Sequence, residues 1–484
     1  MSSHKNTPVV IGISSLSQKD KLENLDEALI LMDSAVKAAI KDTENNNITK
    51  YIDDIRIPKG YWKYRDPGRW IADKNNISNV KTSIAKVGVL QQNLINEACL
   101  NIIDGNIKAS LIIGGESRYK RVLASKVGKE YFETELNKNP DYYIKAKDEL
   151  RIPEEEDELG QMAVGYYSII DSAYRSRKGI KINEYKKDIA DLYKKFSEVA
   201  VTNKESWLKK SISNEDILNE SEKNKKQAFP YNKYHCTSWN VNQSVALIIC
   251  SEEIADKLDV PNSKRVYPIA SAESNHMIPT ILRKDLARPM GMQLAAKHIL
   301  NVCKDNNIKP NIYDLYSCFP IAVKLFADSL LLNKKDAFTV TGGMSFAGGP
   351  LNHYVLTSTV KVIEKIRDNN KCIGLVTGVS GMMTKQSYAV WSKNSLIPFN
   401  YKDVTEEAAN LDIPKKLSTK KSGEVKIVGY TIIGSDSEEK IIIYAEDTNG
   451  DRKVLVSNNK KYIKDMEINE WVGKKVSFKG KYLV

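Results

Sequence analysis

Apolar residues follow two rhythms along this chain. Up to about residue 395 they come as short unbroken runs separated by stretches of helical spacing. Beyond residue 423 they alternate one by one. In the first rhythm Pro8 to Ser14, Ile52 to Ile57, Ser110 to Glu116 and Val245 to Cys250 read as buried strands. Leu25, Ala28, Leu29, Met32, Ala35 and Val36 fall on one face of a helix over Leu25 to Asp42, and Leu90 to Ile103 forms another. The order restarts after Pro261. Val266 to Ala270, Ile312 to Ser317, Phe338 to Thr341, Cys372 to Thr377 and Gln386 to Ser392 read as strands, and Met290 to Asp305, Pro320 to Leu331 and Leu351 to Asp368 as helices. Two such blocks imply a duplicated α/β unit, each half a mixed sheet covered by helices, with ligands at strand C-terminal ends.

Residues 117–235 break the rhythm. They are charged, tyrosine-rich and mostly helical, clearest over Glu184 to Val201 with Trp207 and Leu208 beyond, and read as an insertion in the first half. This divides the chain into a first half over 7–260, a second half over 261–395, a linker over 396–423 and a β-domain over 424–484. In the last segment Glu424 to Ile433, Lys440 to Ala445, Lys453 to Ser457 and Trp471 to Leu483 read as strands. Asn449-Gly450 marks a hairpin between two of them. So small a β-domain suits an OB-like barrel packed on the main body.

Composition narrows the class. With 484 residues and 42% apolar content, the chain has room for several domains and an ordinary soluble core. No run reaches the roughly 18 apolar residues of a membrane span. Met1 to Thr7 is polar, so the expected location is the cytoplasm. Six scattered cysteines form no C-x-x-C pair, which argues against a zinc site or a disulfide framework. The net charge of +12 comes from lysines spread over the whole chain; it suits a phosphate-bearing ligand without specifying one. Lys460 to Lys481, basic and interleaved with Tyr462, Trp471 and Phe478, fits a nucleic-acid surface or plain β-core positions. The second reading is preferred.

Chemistry concentrates in Thr341-Gly342-Gly343-Met344-Ser345-Phe346-Ala347-Gly348-Gly349-Pro350-Leu351-Asn352-His353. Dense glycine ahead of a helix brings backbone amides and a favourable dipole toward a ligand. Asp314-Leu315-Tyr316-Ser317-Cys318-Phe319-Pro320 lies some thirty residues before it. As a set, the duplicated halves, the insertion and these motifs resemble the thiolase superfamily, nearest the acetyl-CoA acetyltransferase-like proteins that stand close to the sterol-carrier-protein thiolases, some of which carry a C-terminal β-domain.

The resemblance implies an acyltransferase acting on coenzyme A thioesters, with coenzyme A or acyl-CoA as substrate or ligand and no other cofactor. It leaves room for a homodimer and for a protein partner on the β-domain, and gives no role to nucleic acid. Thiolases use a nucleophilic cysteine at a helix start, a histidine that activates it, an Asn or His on the thioester oxygen, and a second cysteine in a Cys-x-Gly loop. Those positions fall here at Gly88, Gly349, Tyr316 and Val379. Ordinary thiolase chemistry is therefore not expected, and an acyl-CoA-binding or partner protein is the alternative.

Cys318 is the best remaining nucleophile or a buried small residue; His353 is its potential partner or a structural histidine; Tyr316 is a donor to a thioester oxygen or a space-filler. Gly348, Gly349, Ser380, Gly381 and Gly88 would present loop amides, and Arg118 and Arg121 would meet coenzyme A phosphates or face solvent. His235, His276 and His298 read as structural.

Overall fold

A computed structural model describes residues 5–146, 150–333, 335–435 and 438–484. The first sheet holds β1 (Pro8–Ser17), β2 (Ile52–Pro58), β3 (Lys81–Ala85), β4 (Ala109–Ser117), β5 (Tyr142–Ile144) and β8 (Asn242–Ser251), in the order β1-β8-β4-β2-β3-β5. β8 runs antiparallel between β1 and β4, and the others are parallel. The second sheet holds β9 (Tyr267–Ser274), β10 (Ile312–Asp314), β11 (Ile373–Ser380), β12 (Lys385–Ser392) and β13 (Asn400–Asp403), in the order β10-β11-β12-β9-β13. A bridge between Val10 and Val266 joins the two sheets.

Their uninterrupted apolar runs require cover on both faces. Helices α2 (Gln91–Ile103) and α7 (Tyr354–Asp368) fill the middle layer. Leu94, Ile95, Ala98, Val355, Val360 and Ile363 pack there with strand residues of both sheets. Helix α1 (Ala28–Asp42) covers the outside of the first sheet and α5 (Met290–Asp305) that of the second.

The insertion is chiefly α3 (Ala163–Arg177) and α4 (Ile182–Thr202), but it is not free of sheet. β5 closes the edge of β3, and the short β6 (Lys226–Ala228) and β7 (Tyr231–Asn232) extend the sheet of the C-terminal barrel. That barrel consists of β14 (Ser422–Ile433), β15 (Lys440–Glu446), β16 (Arg452–Ser457), β17 (Lys475–Lys479) and β18 (Tyr482–Leu483). Its order β15-β16-β18-β17-β14 closes through β14–β15, with α8 (Lys460–Met466) before the fourth strand. This is an OB-like circuit. Ile427, Ile443, Leu455, Ile463 and Phe478 line the interior. The outer residues Ile442, Tyr444, Val454 and Val456 pack on Tyr166 and Ile169 of α3 and on Leu286. The face that OB folds turn to oligonucleotides is thus covered by the chain itself.

Three expectations need correction. The segment 396–423 is not only a linker: within it β13 pairs in parallel with β9, and the contact continues to Val404 N, which donates to Glu273 O. Trp471 to Leu483 is strand only in part, after the unforeseen α8. Phe338 to Thr341 is not a strand, for a reason that belongs to the site. Among the described residues no helix is long and apolar enough to cross a membrane.

Candidate active site

Asp314 organises the second half's loops. Its buried carboxylate ends β10 and accepts from Val340 N and Thr341 N (2.9 Å each), Thr339 Oγ1 (3.0 Å), Ser358 Oγ (2.7 Å) and the Tyr354 hydroxyl (3.2 Å). Amides spent on a carboxylate cannot join a ladder, so the apolar run before the glycine loop stays irregular. This also fixes the loop to the start of α7.

The glycine loop is a packed seam. A Cβ on Gly342, whose φ is +102°, would stand 2.5 Å from the backbone of Ala200 in α4, and one on Gly349 would stand 2.2 Å from Thr237 Cγ2. The insertion takes its carbonyls: Asn203 Nδ2 donates to Thr341 O, Trp207 N to Ala347 O, Leu208 N to Phe346 O, and Ser238 N to Met344 O, at 2.8–3.0 Å. The amides are spent as well. Gly342 N donates to Thr339 Oγ1, Gly343 N to Thr341 Oγ1, Met344 N to Ser317 Oγ, and Gly349 N to Ser238 O. The Gly349 amide, expected to face a ligand, has Ser238 O as its acceptor at 2.9 Å. Gly348 stands against the Gln243 side chain.

Cys318 lies one residue before the N-cap of α6 (Pro320–Ser329). Burial pushes its thiol up to about 12, even though the Tyr167 hydroxyl and the Phe319 amide lean on the sulfur. It is therefore a thiol at neutral pH. Tyr316 is its neighbour; burial first, and the Cys318 sulfur second, hold the phenol protonated, so it remains a donor. His353 is not brought to this pair. It is the N-cap residue of α7 and packs its ring on Gly114 of β4, so tightly that a Cβ there would lie 2.3 Å from its own. Burial drops it to about 3, against weaker upward pulls from backbone groups of His353 itself and of Gln243. A neutral imidazole walled in this way is no base for Cys318.

The other loop positions gather around a lysine that sequence reading missed. Ser380 pairs with Lys385 across the β11–β12 turn. Lys385, only 3% exposed, donates from Nζ to Gly88 O at 2.8 Å. Gly88 thus meets the β11–β12 turn through the buried Lys385 side chain, whose signal in the sequence was a lysine opening an apolar run. Gly88 has φ +104°, so a cysteine there would be strained. Gly381, Met382 and Met383 are all left-handed, with φ of 63°, 51° and 66°.

Arg118 stacks 3.8 Å over the Trp239 ring and 4.6 Å from Tyr61, and donates to Asn240 Oδ1. Arg121 pairs with Glu133 at 2.7 Å. Both cations are engaged by neighbours. His235 accepts from Asn232 N within its own turn, whereas His276 Nε2 stands 3.3 Å from Asp412 O and His298 Nε2 2.8 Å from Asn400 Oδ1, both partners in the segment 396–423. Glu273, also missed, accepts from Asn93 and Asn96 of α2 and from Tyr401 of β13, tying the linker strand to the middle layer.

Two sheets of this order, a middle layer of paired helices and an insertion over the glycine seam decide the architecture. The chain has the thiolase fold. No protein-family model matches the sequence, and no curated protein does. Among solved structures, a monomeric SCP2-thiolase-like protein type 1 from Mycobacterium smegmatis superposes with a TM-score of 0.81 at 22% identity, over 99% of each chain. That coverage takes in the barrel. Human mitochondrial 3-ketoacyl-CoA thiolase matches at 0.57 and 12%, covering 80% of this chain and 99% of its own. The Acat5 thiolase from Ascaris suum, in complex with coenzyme A, matches at 0.56 and 14%, covering 80% and 100%. On the thiolase fold of this chain, the spaces beside Gly349 and Gly88 are taken up by Thr237 and by Ala146.

Proposed function

We propose that this chain is an acyl-CoA-directed protein of the thiolase class that binds its ligand and does not run the usual covalent transfer. The observation that carries this is the protonation and packing of the two remaining candidates. Cys318 is a buried thiol beside Tyr167 and Tyr316, while His353 is neutral and packed on Gly114. Nucleophilic catalysis needs a thiolate, or a base within hydrogen-bond reach of the thiol. The fold and a coenzyme A-bound neighbour support the choice of ligand. In this reading Lys385, Ser380 and Gly381 line the thioester end.

The test is calorimetric titration of the full chain with acetyl-CoA and longer acyl-CoAs, run beside assays for thiolysis and condensation. Saturable binding without turnover is the expected result. Robust turnover, or no binding of any acyl-CoA, overturns it.

A second reading, acyl transfer through Cys318, is favoured by one observation: its sulfur receives the Phe319 amide at the start of α6 and the Tyr167 hydroxyl. Intact-mass measurement after incubation with acetyl-CoA separates the two. An acyl adduct lost in Cys318→Ala supports transfer.

A further inference from the structure

The β11–β12 turn is strained, half-buried and held by a residue about a hundred positions away in sequence. Met382 and Met383 are non-glycine residues in the left-handed region, a conformation kept only where surroundings enforce it. Within the turn, Thr384 N donates to Gly381 O at 3.0 Å, and Gln386 Nε2 donates to Met383 O. The Met382 carbonyl is taken by the Nη2 of Arg283, a guanidinium only 2% exposed. Among the described residues its Nε and Nη1 have no hydrogen-bond partner.

Arg283 belongs to a loop that the barrel clamps. Arg452 of β16, 3% exposed, donates from Nη2 to Arg283 O (3.3 Å) and Lys284 O (3.2 Å). Lys415 N donates to Leu282 O at 2.8 Å. Tyr444 of β15 donates to Glu155 Oε1 (2.6 Å), and the same oxygen accepts from Ile281 N (2.7 Å). Met382 itself packs against the cluster of Ile281, Ile442, Tyr444 and Val454. A continuous line of bonds runs from the barrel wall through residues 281–284 to the turn that carries Gly381 and leads into Lys385.

We propose that the C-terminal barrel is a working wall of the candidate site, holding the turn Gly381-Met382-Met383 through Arg452 and Tyr444, with Arg283 as the positioning residue. This gives the barrel a role inside its own chain. It does not depend on what the site binds.

Hydrogen–deuterium exchange of the ligand-free full chain tests it, with the bonded Thr384 amide as reporter. Arg283→Met is expected to speed exchange across residues 381–385 by about tenfold, with β4, β8, β15 and β16 unchanged. Arg283→Lys, which keeps a donor for the Met382 carbonyl, should restore part of the protection. Arg452→Met, on the barrel side, should loosen the turn in the same way. If Arg283→Met does not fold, Arg452→Met decides alone. Turn exchange within about twofold of wild type in the folded variants overturns the proposal. Because no ligand is present, failure here leaves the acyl-CoA reading standing, and failure to bind acyl-CoA leaves this one standing.

Discussion

The loop Thr341–His353 and the turn Ser380–Lys385 both looked like ligand-facing glycine segments, yet they are built oppositely. In the first, glycine is there because other atoms are already in place: the Ala200 backbone and the Thr237 side chain stand where side chains would go. In the second, a single glycine is followed by two methionines in the conformation that glycine would normally supply, and their carbonyls are taken by Arg283 and Gln386. Glycine density therefore marks close packing in one segment, and its scarcity marks imposed strain in the other.

The contrast can be broken by substitution. Gly342→Ala adds a Cβ onto the Ala200 backbone at positive φ; it should cost about 4 kcal/mol, read as a lowered urea midpoint. Gly349→His puts back the residue type that thiolases use, but into Thr237 and Met344. It should cost about 3 kcal/mol and yield no activity, as measured by unfolding and a thiolysis assay.

The seam also fixes a pH dependence. His353 is held near 3 in the fold and titrates near 6.5 when unfolded, so its contribution is complete above about pH 6.5 and is lost as pH falls toward 3. Between pH 7 and pH 5 the wild type should lose about 2 kcal/mol more than His353→Gln, in paired denaturation curves. Met382→Gly stands at the small end. It relieves the left-handed strain while removing some packing, and should change stability by less than about 1 kcal/mol. A loss as large as that of Gly342→Ala would erase the distinction between the two segments.

Much of the fold was legible in the chain. Buried strands and amphipathic helices announced themselves by period, and Asn449-Gly450 marked the hairpin between β15 and β16. The misread parts were those where side chains override period. Phe338 to Thr341 has strand-like composition, but the Asp314 carboxylate takes its amides. Asn400 to Asp403 is too polar to suggest a sheet, and pairs because β9 offers an open edge.

The site was harder. The positions of Gly88, Gly349 and Val379 followed from motif order. That His353 turns to Gly114 rather than to Cys318 is a property of helix and strand placement, which local sequence does not carry. Lys385, Arg283 and Glu273 act through partners far away in sequence, so neither periodicity nor motif spacing could single them out.

One further consequence lies in β5. By pairing three residues of the insertion with β3, the chain occupies from within an edge that a second copy would otherwise meet, and leaves only the three-residue β5 at the end of that sheet. Self-closure takes mass action out of the folding equilibrium at that edge. The melting temperature should then coincide at about 1 μM and about 100 μM protein, whereas an assembly built on that edge would melt higher at the larger concentration.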